Sequence, residues 1–522
     1  MSPYRSPLGA AGRDGFAQLV HAEWTKLRTV RGWTACLALA GLLVVGLGLL
    51  FASGSHASCM EGGKEVVCPP PPLGPGGEAV RDRFYFAHRP LRGDGQITVR
   101  VTSMTGQIRL PDSTPGIRNV AAGTVPWAKA GLMVKAGVRQ GASYAAVMVT
   151  AEHGVRMQHD FTEDVAGRPG KVSPSAPRWL RLTRAGETIT GEESADGRTW
   201  TKVGTARLAG LPDEVRIGLF AASPGDVRVS ANTIGGFNVA SRFAEVTATM
   251  DGLSMRGTGT AGAFARDDIG VHYEADGVTP HHPGGLQQAG GTYKITGVGD
   301  VSPLTEGPAV ENTLVGVMFA LIAAIVVGVL FVTAEYRRGL IRTSLLASPR
   351  RGRVLAAKAV VLLAATFAVS LAAAGVTVAV GLRVLAGNGV QVSPVPVLTG
   401  LRVVAGVAGV LAVTAVLALA FGALLRRSAM AVIAAVVAVV VPYVLATASV
   451  LPEQAADWLL RLTPAAGFAV QQSKPEYPQV LDFYAPSNGY YPLPWWAGFA
   501  VSCAWAGLAL VLAVRRLNRA DA

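Results

Sequence analysis

The sequence predicts an α-helical membrane protein of six transmembrane helices, with a large all-β extracytoplasmic domain inserted between helices 1 and 2. Three observations predict it. Half of the 522 residues are hydrophobic and only 16% are charged, with several apolar runs as long as a bilayer-crossing helix requires. The stretch 54–311 contains no such run, reads as short alternating strands, and balances 26 Lys/Arg against 26 Asp/Glu. The rest of the chain holds 21 basic and 8 acidic residues, which carry the whole formal charge of +13. All of those cations except Arg383, Arg402, Arg461 and Lys474 fall in segments assigned to the cytoplasm. The basicity therefore records membrane topology, and nucleic acid is not expected as a partner.

Residues 1–32 form a cytoplasmic N-terminus. The first twelve are Gly-, Pro- and Ser-bearing and read as disordered. From Asp14 onward Phe16, Leu19, Val20, Trp24, Leu27 and Val30 recur at three- and four-residue spacing, while Glu23, Lys26, Arg28 and Arg31 occupy other faces. This is an amphipathic helix for the inner membrane surface, with Trp24 and Trp33 at headgroup level. Residues 33–52 are the first span. Its apolar core is long for a signal peptide, and the following SGSHASC lacks a lipobox, so it reads as an uncleaved anchor. Residues 53–77 are a linker. Cys59 and Cys68, the cysteines outside the apolar runs, predict a disulfide in an oxidising compartment. PPPPLGPGG at 69–77 then stands the next domain off the bilayer.

Strand signals begin near Phe84. Ile97, Val99 and Val101 alternate with Thr98, Arg100 and Thr102, and similar patterns recur at 143–150, 178–184, 187–191, 199–203 and 215–220. Evenly spaced short strands with Gly, Pro and Asp-Gly punctuation argue for a sandwich. Asp196-Gly197 supplies one hairpin turn. The order W-A-K-A-G-L-M-V-K at 127–135, R-W-L-R-L-T-R at 178–184 and S-A-D-G-R-T-W at 194–200 resembles concanavalin A-like (laminin-G-like) jelly rolls. The resemblance implies a jelly-roll domain over 78–243, followed by a second β-rich segment at 244–311. No carboxylate pair of the kind jelly-roll glycosidases use is present, and Glu192-Glu193 and Glu163-Asp164 read as solvated. His153, His159 and Asp160 lack the spacing of metal ligands, so no metal centre is expected. Trp127, Trp179 and Trp200 are either ligand-stacking residues for a glycan or core aromatics of the sandwich.

The remaining spans follow at 312–333, 359–382, 403–425, 429–451 and 495–514, the fifth kinkable at Pro442. Residues 452–494 hold many aromatics and few charges, which suits an outer interfacial segment with a re-entrant helix pair. Arg515, Arg516 and Arg519 hold the tail 515–522 inside, so both termini are cytoplasmic in a multi-pass plasma-membrane protein. Ionisable residues are nearly absent from the spans, which disfavours an ion-driven carrier. Gly406, Gly409 and Gly422 allow close helix packing.

The stretch 334–358, AEYRRGLIRTSLLASPRRGRVLAAK, is a basic island between two apolar runs. Arg337, Arg338, Arg342, Arg350, Arg351, Arg353 and Lys358 stand against one acid, Glu335. Charge alone makes it a solvated, positive-inside connector. Leu340, Ile341, Leu345 and Leu346 fall near helical spacing, which predicts a short amphipathic helix stopped by Ser348-Pro349. The pattern resembles the first cytoplasmic loop of ABC-2 type transporter permeases, matching it at Glu335, Arg337, Gly339, Thr343, Pro349 and Arg351. The opening H-x-E-W-x-K-L-R at 21–28 is similar to that family as well.

The resemblance implies that 334–358 is a coupling loop docking on a separate ABC ATPase subunit, beside a second permease subunit in a homo- or heterodimer. Glu335, Arg337 and Arg338 would anchor the coupling helix, and Leu340, Ile341, Leu345 and Leu346 would enter a groove of the ATPase. Gly339, Arg342, Thr343, Ser348, Pro349, Arg350 and Arg351 complete that docking stretch. The sequence contains no G-x-x-x-x-G-K-[ST]; the nearest match, 167–171, has the wrong spacing. This chain is therefore expected to be no enzyme and to hold no cofactor, with ATP and Mg on the partner. The reading is an ATP-driven exporter subunit whose β domain contacts substrate, glycan or envelope. The alternative is a membrane-tethered carbohydrate- or envelope-binding protein whose spans act as anchor or mechanical transmitter.

Overall fold

The structure, a computed structural model, describes residues 15–61, 64–111, 119–231, 237–270, 272–273, 280–281, 283–337, 351–448 and 450–519. Helix α1 (Phe16–Thr29) precedes α2 (Arg31–Gly54), and the β domain follows before the other helices. These are α3 (Val317–Arg337), α4 (Arg351–Gly387), α5 (Val397–Leu425), α6 (Ser428–Thr447), α7 (Glu453–Leu462) and α8 (Trp495–Arg519). Among the described residues, six helices (α2 to α6 and α8) are long and apolar enough to cross a membrane. Helix α5 is the centre of the bundle, with every residue from Val407 to Ala420 buried. A helix apolar all round suits that position. Its neighbours come close because small residues line the contact: a Cβ on Gly328 of α3 would lie 2.2 Å from the Ala415 carbonyl oxygen of α5. In α6 a π-helical turn, Val436–Val440, precedes Pro442, whose missing N–H breaks the regular ladder. Beyond α7 a 3-10 helix, Pro464–Gln471, is buried along its whole length, and Trp505 of α8 donates to the Leu462 carbonyl at 2.9 Å.

The β domain is a sandwich organised by one 26-residue strand, Phe84–Arg109. Its first half pairs with Glu214–Ala222, and its second half pairs with Arg178–Ala185 on one side and Ala244–Thr258 on the other. The same strand therefore belongs to both layers. Inward positions such as Ile97, Val99, Leu132, Val147, Leu180, Leu182 and Ile217 fill the space between them. Thr292–Gly297 pairs with Ala244–Thr258, which pairs with Phe84–Arg109, so these two later strands belong to the same sheet as the long strand. Their alternating apolar positions Val246, Ala248, Met250 and Ile295 need the partner face contributed by Phe84–Arg109.

One layer is buried on both faces. All seven residues of Lys129–Lys135 and of Tyr144–Thr150 are buried. The second face is covered by the strands that enter and leave the domain, Val80–Asp82 and Val301–Pro303, which pair with each other. A small core of Phe84, Phe86, Met133, Tyr144, Phe161 and Phe220 lies beneath them. Two ion pairs fasten this cover. Lys135 meets Asp82 at 2.7 Å, and Lys129 meets Asp300 at 2.6 Å, all four side chains buried. Burial raises the Asp82 carboxyl and lowers the Lys135 ammonium, so desolvation outweighs attraction. Such a pair contributes more to the register of the cover than to net stability.

Candidate functional site

The ends of α1, α3 and α4 farthest from the β domain meet in a buried charge cluster. The Lys358 ammonium of α4, 1% exposed, donates to Glu23 Oε2 of α1 at 2.6 Å and to Glu335 Oε1 of α3 at 2.7 Å. Lys26, one turn along α1, closes the ring with Glu23 at 2.8 Å and Glu335 at 3.1 Å. Two carboxylates against two ammoniums leave the group formally neutral, which is the condition for burying it. Aromatic rings roof it. The Lys358 nitrogen stands 4.8 Å from the Phe331 centroid, and Trp33 meets Phe331 edge-on at 4.9 Å. Helix α1 is held by this cluster and by Leu27, while Phe16 and Trp24 remain exposed. Its inward face therefore carries Glu23, a residue that amphipathic periodicity assigns to the polar side.

The cluster stands at both roots of the basic loop. Glu335 is a buried member of this network, 4% exposed and flanked by two ammoniums. Arg337 is exposed at the end of α3. Arg351 opens α4 and donates to the Leu517 carbonyl of α8 at 2.6 Å. Arg338, Gly339, Leu340, Ile341, Arg342, Thr343, Leu345, Leu346, Ser348, Pro349 and Arg350 lie outside the described residues.

In the β domain the three tryptophans have different surroundings. Trp127 is 5% exposed and stacked on His153 at 4.0 Å, so it is a core aromatic and is closed to a ligand. Trp179 lies under two glycines, Gly197 of a hairpin loop and Gly252 at a register shift of the strand Ala244–Thr258: a Cβ on either would come within 2.8 Å of its ring. Trp200 is half-buried against the Arg181 guanidinium at 4.1 Å. The Asp196 carboxylate accepts from the Arg198 and Thr199 N–H groups, each at 2.8 Å, and these bonds hold it well below the usual carboxylate range. Glu163 is exposed, whereas Asp164, Glu192 and Glu193 are engaged. Arg156 pairs with Asp164, Arg181 with Glu192 at 2.6 Å, and the Arg168 N–H donates to Glu193 at 2.6 Å.

Cys59 and Cys68 are joined as a disulfide. The segment between them and the bundle is bolted down. Asn388, at the end of α4, donates to the Ala52 carbonyl at 3.0 Å, and its own carbonyl accepts from Ala57 at 3.1 Å. Gln479 donates to Thr162 of the sandwich at 2.9 Å. Between sandwich and bundle are two clefts. One of 710 Å³ is lined by Glu78, Thr305, Pro396, Arg402, Tyr477 and Trp495. The other, of 810 Å³, is lined by Glu311 and several tyrosines. Sequence reading did not single out Glu23, Lys358 or Glu311 as site residues. The available signal was a lone acid in each of two cationic stretches.

Six apolar helices joined to a β sandwich, with an amphipathic helix held by a buried charge cluster, are the architecture of a multi-pass membrane protein. The chain belongs to the ABC-2 transporter family: the model described as "ABC-2 family transporter protein" matches residues 227–522, more than half of its length. No curated protein matches it. Solved structures similar to parts of the chain include a functionally unknown protein from Saccharomyces cerevisiae, at 15% identity and a TM-score of 0.20, covering 33% of this chain and 72% of that one. Scytalido-glutamic peptidase with a transition-state analogue inhibitor is similar at 7% identity and a TM-score of 0.25, covering 42% and 98%. SCP-B, of the eqolisin peptidases, is similar at 7% identity and a TM-score of 0.23, covering 43% and 100%.

Proposed function

We propose that this chain is one permease half of an ATP-driven exporter, paired with a second permease subunit and powered by separate ABC ATPase subunits that carry ATP and Mg. In this reading the termini and the 334–358 loop face the cytoplasm, and the β sandwich stands outside the plasma membrane. The observation that carries it is the Glu23–Lys26–Glu335–Lys358 cluster at the roots of the basic loop, in a chain of the ABC-2 family. Three helices tied by charge at that point move as one body. Displacement of the loop by a nucleotide-driven partner would then reach α3, α4 and α1 together. The apolar residues Leu340, Ile341, Leu345 and Leu346 enter the ATPase groove, and the surrounding arginines, including Arg337 and Arg351, steer the docking. The sandwich contacts substrate, glycan or envelope, with Trp179 and Trp200 as its remaining aromatic candidates. Leu345→Asp is expected to lower ATPase retention, and ATP hydrolysis stimulated by the permease, by about tenfold or more, the scale of burying an unpaired charge in an interface. Retention and stimulation equal to wild type would remove the loop from the docking surface.

A further inference from the structure

The 810 Å³ cleft lies where the sandwich meets the bundle, within the range of small-molecule sites. Val227, Val239 and Ser241 of two paired antiparallel strands form one wall; α6 and the aromatic segment before α8 form the other. Its lining combines one feature that is costly with another that would relieve it. Glu311 is largely buried just before α3. Its Oε1 accepts from the Ser473 N–H at 3.3 Å, and its Oε2 is buried with no hydrogen-bond partner. Among the described residues no cation lies within ion-pair distance (4.0 Å) of it. Lys474 lines the same cleft and donates to the carbonyls of Thr305, Glu306 and Gly307 at 2.8, 3.3 and 2.6 Å, so its charge attracts Glu311 without forming a direct ion pair with it. Arg402, outside this cleft, donates to the Gln472 carbonyl and stands over Trp495. Glu306 and Asp482 are further acids of the lining, so the walls carry more negative than positive charge. Burial pushes the Glu311 carboxyl up and outweighs the hydrogen bonds and the attraction of Lys474 that oppose it.

The other feature is apolar surface. Phe51, Val239 and Val315 line the cleft and are exposed, while the lining rings of Phe468, Tyr490 and Tyr491 are buried. A carboxylate outside ion-pair distance of any described cation, beside exposed apolar side chains, recognises a cation with an apolar body. The acid supplies the counter-charge, and the apolar lining supplies the area.

We propose that this cleft is a binding site for an amphipathic organic cation, an amine- or quaternary-centre-bearing molecule whose charge sits at Glu311 and whose body lies on the exposed apolar side chains of Phe51, Val239 and Val315. As a binding site it stands independently of transport; as a site for cargo it rests on the exporter reading. The experiment uses the full chain in lipid nanodiscs and measures equilibrium binding of tetraphenylphosphonium and of its isosteric anion tetraphenylborate, with empty nanodiscs subtracted. The phosphonium should bind at least about tenfold tighter than the borate, and Glu311→Gln should remove that preference. Equal binding of the two ions by wild type, absence of phosphonium binding, or full preference retained in Glu311→Gln would each overturn the proposal. The wild-type ion comparison decides even if the variant fails to fold. ATPase copurification, which depends on the opposite end of the bundle, is expected to be unchanged in Glu311→Gln, so failure of one reading is distinguishable from failure of the other.

Discussion

Lys358→Met is expected to free α1 from the bundle and to lower the thermal midpoint of the detergent-solubilised chain. The substitution leaves Glu23 and Glu335, each with a side chain only 5% exposed, facing each other with Lys26 as the single remaining cation of the cluster. Breaking a buried ion network by removing one partner costs about 3–5 kcal/mol, far more than the network contributes net. The check is trypsin cleavage at Lys26 and Arg28, which should accelerate as α1 detaches. Neutralising the acids as well, in Glu23→Gln/Glu335→Gln/Lys358→Met, should recover much of the loss because no uncompensated charge remains. An unchanged midpoint and unchanged cleavage in Lys358→Met would mean that the cluster does not hold α1.

In the β domain the corresponding change is Lys135→Met. It strands Asp82, 0% exposed, beneath a cover that would otherwise be fastened by the pair, at a cost of about 3–5 kcal/mol. Asp82 would keep only the Gly141 N–H at 2.8 Å among the bonds now made to its Oδ2. Hydrogen exchange should rise in the paired strands Val80–Asp82 and Val301–Pro303 before it rises in the inner core. The double replacement Asp82→Leu/Lys135→Met is expected to exchange more slowly than the single one. If the single variant matches wild type in those strands, another contact fastens the cover.

Much of the architecture was legible because it is periodic. Apolar runs of membrane-crossing length gave the spans, and alternation with Asp-Gly punctuation gave the strands at 96–104, 143–150, 178–184 and 215–220. The contacts that give those elements a role are not periodic. Lys358 and Glu23 are separated by 335 positions. Before folding, Glu23 is simply a polar residue on an amphipathic helix. Glu335, the lone acid of the basic stretch, pointed to a special position, but composition does not distinguish a docking residue from a buried lock. Trp127 shows a similar limit, because a tryptophan for sugar stacking and one packed on His153 arise from the same strand pattern. The strand Ala244–Thr258 looked separate since its partner strand lies far back in the chain, at 84–109. Glu311 marked only the edge of a span until Tyr443, Tyr490 and Tyr491 converged around it.

The assignment of this chain as an ABC-2 permease half driven by a separate ATPase meets its most direct test in affinity purification from the native membrane in a mild detergent, followed by identification of copurifying proteins. A Walker-motif ATPase recovered in stoichiometric amount is the predicted result. Recovery of the chain without any ATPase across several mild detergents would contradict it and would favour a membrane-tethered binding protein.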